Sequence, residues 1–239
     1  MKPILREWIS QMEQEGTIKR IHKEVSPIHE LAAVGKKLEP QHGALFEHVT
    51  GSKIPVVTGL VTNRENIARS MGMSYAELMD RFNRALTDLT PCKIVDGKGL
   101  AIKENILTGD QVDLGILPAC VHHEKDAGRY LTAALCVTKD PVTGIRNVAI
   151  HRHEVQDKNH LGALLLPRHT NQLFTQAEAA GRPLEIALAI GVHPSLLLAS
   201  QATTALGVDE FEVAGTLLGE PVELTKCETV DIEVPVESE

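Results

Sequence analysis

The clearest strand pattern along the chain lies in its middle. Two apolar segments, residues 131–138 and 145–151, are separated by residues 139–144, which include Pro141 and Gly144. Proline presets its own φ and glycine accepts positive φ, so both suit a tight connection between two strands. The pattern therefore predicts a β-hairpin.

The second strand of this hairpin carries unusual side chains for a core element. Because successive side chains point to opposite faces of a strand, Asn147 and His151 share one face and Arg152 lies on the other. The strand ends at Arg152, next to His153 and Glu154. Such a polar end indicates that the hairpin carries function as well as structure.

Before the hairpin, the periodicity predicts a small α/β domain. Leu5, Trp8 and Met12 recur at helical spacing. Pro27 opens a later helix, with Ser26 as its predicted cap. The elements predicted in this part are helices at 3–15, 27–38, 66–70 and 74–87 and strands at 18–21, 44–49 and 54–60.

After the hairpin, short apolar segments predict a mainly antiparallel sheet with a few helices. The predicted elements are strands at 161–166, 184–192, 216–218, 222–226 and 232–234 and helices at 171–180 and 195–202. Residues 88–125 lose periodicity and gain Gly and Pro, so we place a connector there. The result is an α+β fold, with a small N-terminal α/β domain at 1–112 and a barrel-like domain at 113–239.

Composition excludes two classes of function. The 239 residues carry a net charge of −8, and 3% of them are aromatic. A negative protein repels a phosphate backbone, and few aromatic rings leave little to stack on bases, so we expect no nucleic-acid partner. No run of about 18 apolar residues occurs, so we expect no membrane span and a cytoplasmic protein.

The cysteines indicate neither a metal site nor a disulfide framework. Cys92, Cys120, Cys136 and Cys227 are far apart and form no CxxC pair. A zinc ribbon and a small disulfide-bonded scaffold both need closer spacing or more cysteines. We expect reduced, mostly buried thiols.

Common catalytic motifs are missing. Two histidine-rich runs, residues 122–124 and 151–154, suggest zinc, but neither forms an HExxH pair or has a third ligand at a recognisable spacing. The chain also lacks a GxSxG nucleophile elbow, a GxGxxG loop and a P-loop. These patterns argue against a zinc hydrolase, a serine hydrolase and the common nucleotide folds.

With these motifs excluded, Arg152 is the remaining candidate for a functional residue. An arginine at a strand end either forms a salt bridge or binds a carboxylate or phosphate through two hydrogen bonds. By the same reasoning Glu210 is a surface carboxylate and Asn147 is a hairpin residue. The pattern alone therefore indicates no more than an anion site in a sheet domain.

Several short motifs, taken in order, resemble one family. They include DAGRYLT at 126–132 and NVAIHR at 147–152. The others lie at residues 43–49, 139–144, 209–211, 214–217 and 221–227. Their content and order, over most of the chain, resemble the UbiD family of reversible decarboxylases.

The resemblance implies a decarboxylase of an aromatic or α,β-unsaturated carboxylic acid that uses prenylated FMN. In that family the flavin binds in a split β-barrel like that of flavin reductases, behind a small N-terminal α/β domain. Its phosphate is held through Mn²⁺ and K⁺, and a flavin prenyltransferase supplies the cofactor. Full-length members form homo-oligomers.

The resemblance also implies roles for particular residues. Asn147 and Glu210 match the metal ligands, and amide and carboxylate oxygens suit a hard divalent cation. Arg152 matches the catalytic arginine that orients the substrate acid. The residues implied to line the cofactor are Ile150, His151, Arg152, Leu164, Leu165, Leu166, Arg168 and His169. Leu164 stands where family members often have a polar or cationic side chain.

Family members run much further than this chain. The stretch Glu-Gly-Pro-x-Gly-Glu/Asp, which supplies the arginine's carboxylate partner and the proton donor, does not occur here. Glu237 and Glu239 resemble residues before that stretch and receive no catalytic role. We therefore expect the N-terminal part of such a decarboxylase, inactive by itself. The alternatives are a non-catalytic flavin-binding or assembly subunit that needs a partner chain, and a plain structural domain.

Overall fold

A computed structural model describes residues 4–239 as a mixed α/β protein. The helices are α1 Leu5–Gln14, α2 Glu30–Leu38, α3 Arg64–Ser70, α4 Tyr75–Ala85, α5 His169–Ala179, α6 Pro194–Ala199 and α7 Glu210–Leu218. The strands are β1 Ile18–Ile21, β2 Gly43–Phe46, β3 Val56–Thr58, β4 Lys93–Ile94, β5 Arg129–Leu131, β6 Leu135–Lys139, β7 Arg146–Ile150, β8 His153–Val155, β9 Leu161–Ala163, β10 Ala187–Ala189, β11 Glu223–Lys226 and β12 Glu233–Pro235.

The strands of residues 4–239 form four small sheets. Their orders are β1-β2-β3, β10-β6-β7, β12-β11-β4 and β5-β8-β9. The predicted mixture of helices and sheets is confirmed, and no closed barrel is formed within this range. No helix in the described part of the chain is long and apolar enough to cross a bilayer.

The N-terminal sheet is built around a parallel strand pair. β1 and β2 run in the same direction and α2 connects them, because parallel neighbours need a crossover that returns the chain to the same end. Leu31 of α2 belongs to the same buried cluster as Phe46 of β2. On α1, Trp8 packs in a second cluster with Ile18.

The second helix begins later than predicted. Its first residue is Glu30, and its N-cap is His29, at φ 64°, so the prediction of Ser26 as the cap is wrong. The Oγ of Ser26 instead accepts a hydrogen bond from the backbone N–H of Ile28 at 3.1 Å, which holds the preceding turn. The other N-terminal helices and strands agree with the prediction to within a few residues. Residue 3, at the start of the first predicted helix, lies outside the described residues.

The predicted hairpin is confirmed. β6 and β7 are antiparallel, with Thr138 opposite Asn147. The hairpin is shorter than predicted, because residues 129–131 pair with β8 in another sheet and the next strand begins at Leu135. In the order β10-β6-β7, β7 is an outer strand. Every second N–H of β7 therefore points away from β6.

The predicted strand at 216–218 is wrong, because these residues form the last turn of α7. Asp209 caps this helix by accepting a hydrogen bond from the N–H of Phe211 at 2.9 Å. Gly219 ends it in the left-handed conformation, at φ 81°. Phe211 and Leu217 are buried on the same helix, so its apolar spacing serves a helical face.

Two other predicted strands are shorter than expected. The segment predicted at 161–166 as a buried strand is extended only over Leu161–Ala163, and Leu164 and Leu166 are 55% and 57% exposed. The segment predicted at 184–192 is a strand only over Ala187–Ala189. The strands predicted at 222–226 and 232–234 are confirmed, displaced by about one residue.

The main core joins elements from both halves of the chain. Leu78 of α4 lies in the same buried cluster as Phe211 and Leu217 of α7 and Val137 of β6. β4 pairs with β11, so residues 93–94 join a sheet of the second half. The division of the chain at residues 112 and 113 stays a prediction.

Candidate active site

Glu210 is the first residue of α7 and points its carboxylate at the hairpin. The Oε2 atom of Glu210 accepts a hydrogen bond from the backbone N–H of Val148 at 2.7 Å. This N–H is free for the contact because Val148 lies on the outer strand β7 and its amide points away from β6. The residue next to Val148 is Asn147, so the carboxylate of one sequence-predicted metal ligand contacts the backbone beside the other, although 210 − 147 = 63 positions separate them.

Asn147 is tied to a third element. Its side chain is 6% exposed, and its Nδ2 atom donates to the Oγ1 of Thr170 at 3.1 Å. Thr170 is the second residue of α5, and its Oγ1 is also 3.0 Å from Nε2 of His151. Helices α7 and α5 therefore both contact the outer strand of the hairpin, α7 at Val148 and α5 at Asn147.

The carboxyl of Glu210 lies in an environment that disfavours its charged form. It is 4% exposed, and burial raises its pKa to about 7, although the N–H of Val148 acts in the opposite direction. Its other oxygen accepts a weak hydrogen bond from the Oγ1 of Thr204 at 3.4 Å. Within residues 4–239 no Lys, Arg or His forms an ion pair with it. A buried carboxylate of this kind becomes a good ligand when a cation is present.

A buried ion-pair network involves the residues that precede the two predicted ligands. Arg146, which precedes Asn147, lies 2.6 Å from the carboxylate of Asp209, which precedes Glu210. Arg146 also contacts Glu233 of β12 at 2.8 Å, and Lys139 of β6 contacts Glu233 at 2.9 Å. The sequence analysis missed this network. The only signal was a charged residue before each predicted ligand, which gives no partner by itself.

Arg152 lies between β7 and β8, and its side chain is exposed. Within the described residues it takes part in no ion pair. Within residues 4–239, Arg152 therefore does not form the salt bridge that an arginine at a strand end often forms. The guanidinium is free to bind an acid through two hydrogen bonds.

The other predicted cofactor residues lie on two segments. Ile150 and His151 are half-buried at the end of β7, and burial lowers the pKa of His151. The second segment connects β9 to α5 and contains Leu164, Leu165 and Leu166, then Arg168 as the N-cap of α5 and His169 as its first residue. The hydrogen bonds of Thr170 bring the start of α5 to His151, so the two segments meet there.

His153 is a buried residue to which the sequence analysis assigned no role. Its side chain is 3% exposed, and both ring nitrogens are buried without a hydrogen-bond partner of good geometry. Its ring lies edge-on to that of His151, with 6.2 Å between the centroids. Burial lowers the pKa of His153, with a smaller effect from His151, so the ring is neutral near pH 7.

The described residues contain no group of three or more His, Cys, Asp and Glu side chains that could hold a metal ion. The two sequence-predicted ligands, Asn147 and Glu210, carry an amide oxygen and a carboxylate. Such a set suits a hard cation whose remaining ligands are phosphate or water oxygens, as for Mg²⁺ and Mn²⁺. The donor chemistry of this site fits Mn²⁺.

Two family models match this chain. The model of the UbiD N-terminal domain matches residues 9–86, and that of the UbiD 3-octaprenyl-4-hydroxybenzoate carboxy-lyase Rift-related domain matches residues 93–239. Among curated proteins, the anhydromevalonate phosphate decarboxylase of Methanothermobacter thermautotrophicus is 35% identical over 97% of this chain and 52% of its own length. The phenolic acid decarboxylase of Sedimentibacter hydroxybenzoicus is 30% identical over 98% of this chain and 52% of its own length.

Solved structures of UbiD-class enzymes are also similar to this chain. HmfF from Pelotomaculum thermopropionicum, in complex with FMN, is 50% identical, with a TM-score of 0.95 over 98% of this chain and 53% of its own. An evolved dimeric form of the same enzyme, in complex with prFMN, the prenylated cofactor, is 49% identical, with a TM-score of 0.96 over 100% of this chain and 56% of its own. The chain thus spans about half the length of the relatives that it matches.

Proposed function

We propose a function that starts from an established fact: this chain belongs to the UbiD family of carboxy-lyases. We propose that it is the cofactor-binding portion of a decarboxylase that acts on aromatic or α,β-unsaturated carboxylic acids with prenylated FMN. Relatives named as decarboxylases, and UbiD-class structures in complex with FMN and prFMN, support this class of reaction and cofactor.

One observation carries the proposal for the cation. The Glu210 carboxyl is buried against the N–H of Val148, the residue after Asn147, and has no cationic partner within residues 4–239. Burial raises its pKa to about 7. Burying an ionised carboxylate without a counter-ion is unfavourable, whereas a divalent cation would stabilise it. We therefore propose that Glu210 and Asn147 bind Mn²⁺ together with the cofactor phosphate, and that K⁺ binds nearby.

Arg152 is proposed as the catalytic residue that binds the substrate. When bound, the modified flavin would supply an electrophilic centre able to accept electron density from the substrate. Arg152 orients the substrate carboxylate by two hydrogen bonds and holds its charge. Glu237 and Glu239 are engaged elsewhere, since Glu237 accepts from the N–H of His193 at 3.4 Å and Glu239 pairs with Arg6.

The remaining parts of the proposal concern the wider assembly. We propose that residues 113–239 contribute to a split β-barrel, with the exposed Leu164 and Leu166 against the flavin. A flavin prenyltransferase is the proposed source of the cofactor, and the full-length protein is proposed to form homo-oligomers. Four free cysteines, with burial raising the pKa of each thiol, fit a reducing cytoplasm.

A second function is favoured by the state of Arg152. Its carboxylate partner is not found within the described residues, so another polypeptide segment would have to supply it. A flavin-binding or assembly subunit that receives this carboxylate from a partner chain is therefore the alternative. Co-purification of a stoichiometric second polypeptide that restores decarboxylation would favour it.

The cofactor proposal is tested by co-expressing the chain with a flavin prenyltransferase and measuring flavin absorbance and Mn²⁺ content. We expect both in the wild type and loss of both in Glu210→Gln and Asn147→Leu, which keep side-chain size. The matched control is Glu237→Gln, because burial also raises the pKa of Glu237 to about 7, and its carboxyl accepts from the N–H of His193 and not from that of Val148. Equal flavin and metal in all four proteins would refute the assignment.

The same samples test the proposed division of catalytic groups. We expect no CO₂ release from the chain alone, because the proton donor of the family is not among its motifs. CO₂ release that Arg152→Ala abolishes would show that this chain contains all the groups that the reaction needs.

A further inference from the structure

Thr170 is a buried hydroxyl to which the sequence analysis gave no role. It is 2% exposed and is the second residue of α5. Its Oγ1 lies 3.1 Å from Nδ2 of Asn147 and 3.0 Å from Nε2 of His151. One atom therefore joins a predicted metal ligand to a predicted cofactor-lining residue.

The direction of both hydrogen bonds follows from the chemistry of the groups. An amide NH₂ only donates, so the Oγ1 of Thr170 accepts from Asn147. A buried hydroxyl needs an acceptor for its own proton. Within residues 4–239, the other hydrogen-bond partner of the Thr170 hydroxyl is Nε2 of His151. Burial lowers the pKa of His151, and a neutral imidazole has one acceptor nitrogen. The Nε2 atom therefore accepts, and the ring proton is on Nδ1.

This arrangement has a consequence for Asn147. With its Nδ2 held by Thr170, the Asn147 amide has its oxygen left to offer a cation. A rotated amide would present two N–H groups to the cation instead and would repel it. Hydrogen bonds of this supporting kind typically change metal affinity by about 10- to 100-fold.

We propose that Thr170 is a positioning residue whose hydroxyl accepts from Asn147 and donates to His151. It orients the Asn147 oxygen toward a divalent cation and holds His151 as the tautomer protonated on Nδ1. The part that concerns the cation rests on the proposed function. The part that concerns His151 depends only on the hydrogen bonds and is testable without metal or flavin.

The first experiment measures the tautomer of His151 by two-bond ¹H–¹⁵N NMR on the full chain without metal or flavin. We expect the Nδ1–H tautomer in the wild type and in Thr170→Ser, which keeps the hydroxyl. In Thr170→Val, which has nearly the same shape, the Nε2 resonance should shift because it loses its donor. An Nε2–H tautomer in the wild type would overturn the proposal, and this result needs no variant to fold.

The second experiment measures Mn²⁺ affinity by electron paramagnetic resonance in the presence of FMN. We expect the dissociation constant of Thr170→Val to rise about 10- to 100-fold and that of Thr170→Ser to stay near the wild type. The unfolding midpoint of each variant is measured as well. A Thr170→Val protein that keeps the wild-type midpoint and still loses Mn²⁺ affinity supports the orienting role, because a loss of folding cannot then explain the weaker binding. Equal Mn²⁺ affinity in wild type and Thr170→Val would overturn the orienting role.

The two experiments separate this inference from the proposed function. Wild-type protein that binds no Mn²⁺ but shows the Nδ1–H tautomer would support the hydrogen bonds of Thr170 and would refute the metal site. Wild-type protein that binds Mn²⁺ with the opposite tautomer would support the metal site and refute the role of Thr170.

Discussion

Arg146 and Asp209 form a buried ion pair, with Nη2 of Arg146 2.6 Å from Oδ2 of Asp209. Arg146 is the first residue of β7, and Asp209 is the N-cap of α7. The pair therefore joins the start of the strand that carries Asn147 to the start of the helix that carries Glu210. It sets the approach of one predicted metal ligand to the other.

Replacing Arg146 by Met is expected to lower the free energy of unfolding by about 3–5 kcal/mol, because it leaves buried carboxylates without their cation. It should also weaken Mn²⁺ binding, since the start of α7 is no longer held. The matched control is Lys139→Met, because Lys139 contacts Glu233 at 2.9 Å and does not contact Asp209. Urea unfolding and Mn²⁺ titration of both variants check this. Equal loss of metal affinity in the two would mean that the contact with Asp209 has no special importance.

The free energy of unfolding of the metal-free chain should depend on pH through two buried carboxyl groups, those of Glu210 and Glu237. Burial raises the pKa of Glu210 and of Glu237 to about 7 each. The pKa of an unfolded Glu is about 4.3, so the folded state binds more protons between the two values. Each group therefore stabilises the fold fully below about pH 4, and this contribution is lost as the pH rises through about 7. The loss is on the order of 3 kcal/mol for each group.

Variants separate the two carboxyls. Between pH 4.5 and pH 8 the free energy of unfolding should fall less in Glu210→Gln and in Glu237→Gln than in the wild type. The difference from the wild type is expected to be about 3 kcal/mol in each variant. Mn²⁺ at pH 7.5 should raise the stability of wild type and Glu237→Gln but not of Glu210→Gln. Urea unfolding with and without Mn²⁺ is the measurement. A metal-dependent gain in Glu210→Gln would contradict the assigned ligand.

The exposed leucines before α5 are expected to matter for flavin binding and little for folding. Leu164 is 55% exposed, and Val142, in the hairpin turn, is 84% exposed. Leu164→Asp should therefore raise the dissociation constant for FMN about 10-fold or more, since it places a charge against an apolar ring. Val142→Asp, the matched control, should leave it unchanged. FMN fluorescence titration decides between these outcomes, and equal affinities in both variants would speak against the leucine segment.

Arg152, which the family resemblance assigns both to the cofactor lining and to the substrate acid, should affect binding of the acid more than retention of the cofactor. Because it is exposed and forms no ion pair within the described residues, Arg152→Ala is expected to change the free energy of unfolding by less than about 0.5 kcal/mol. Flavin and Mn²⁺ contents should equal those of the wild type, while the affinity for an aromatic carboxylic acid should fall. Calorimetric titration of the flavin-loaded chain measures this. Loss of flavin in the variant would instead show that cofactor binding is the main role of Arg152.

Local sequence signals predicted the elements that are decided locally. Pro141 and Gly144 predicted the hairpin turn, and the spacing of Trp8 and Met12 predicted the first helix. The strand predicted at 216–218 failed because a three-residue segment with a threonine and two leucines fits either a strand or one helical turn. The cap at Asp209 and the left-handed Gly219 decided for the helix.

The amino-acid sequence by itself determined the hairpin, the motifs of the family and the identity of the predicted ligands, because these depend on neighbouring residues and on residue type. The tertiary structure decided that Glu210 meets the N–H of Val148, that Arg146 pairs with Asp209, and that Thr170 joins Asn147 to His151. It also decided that the Glu210 carboxyl is buried, which raises its pKa to about 7. Desolvation and hydrogen bonding come from groups distant along the chain, so no local pattern reports them.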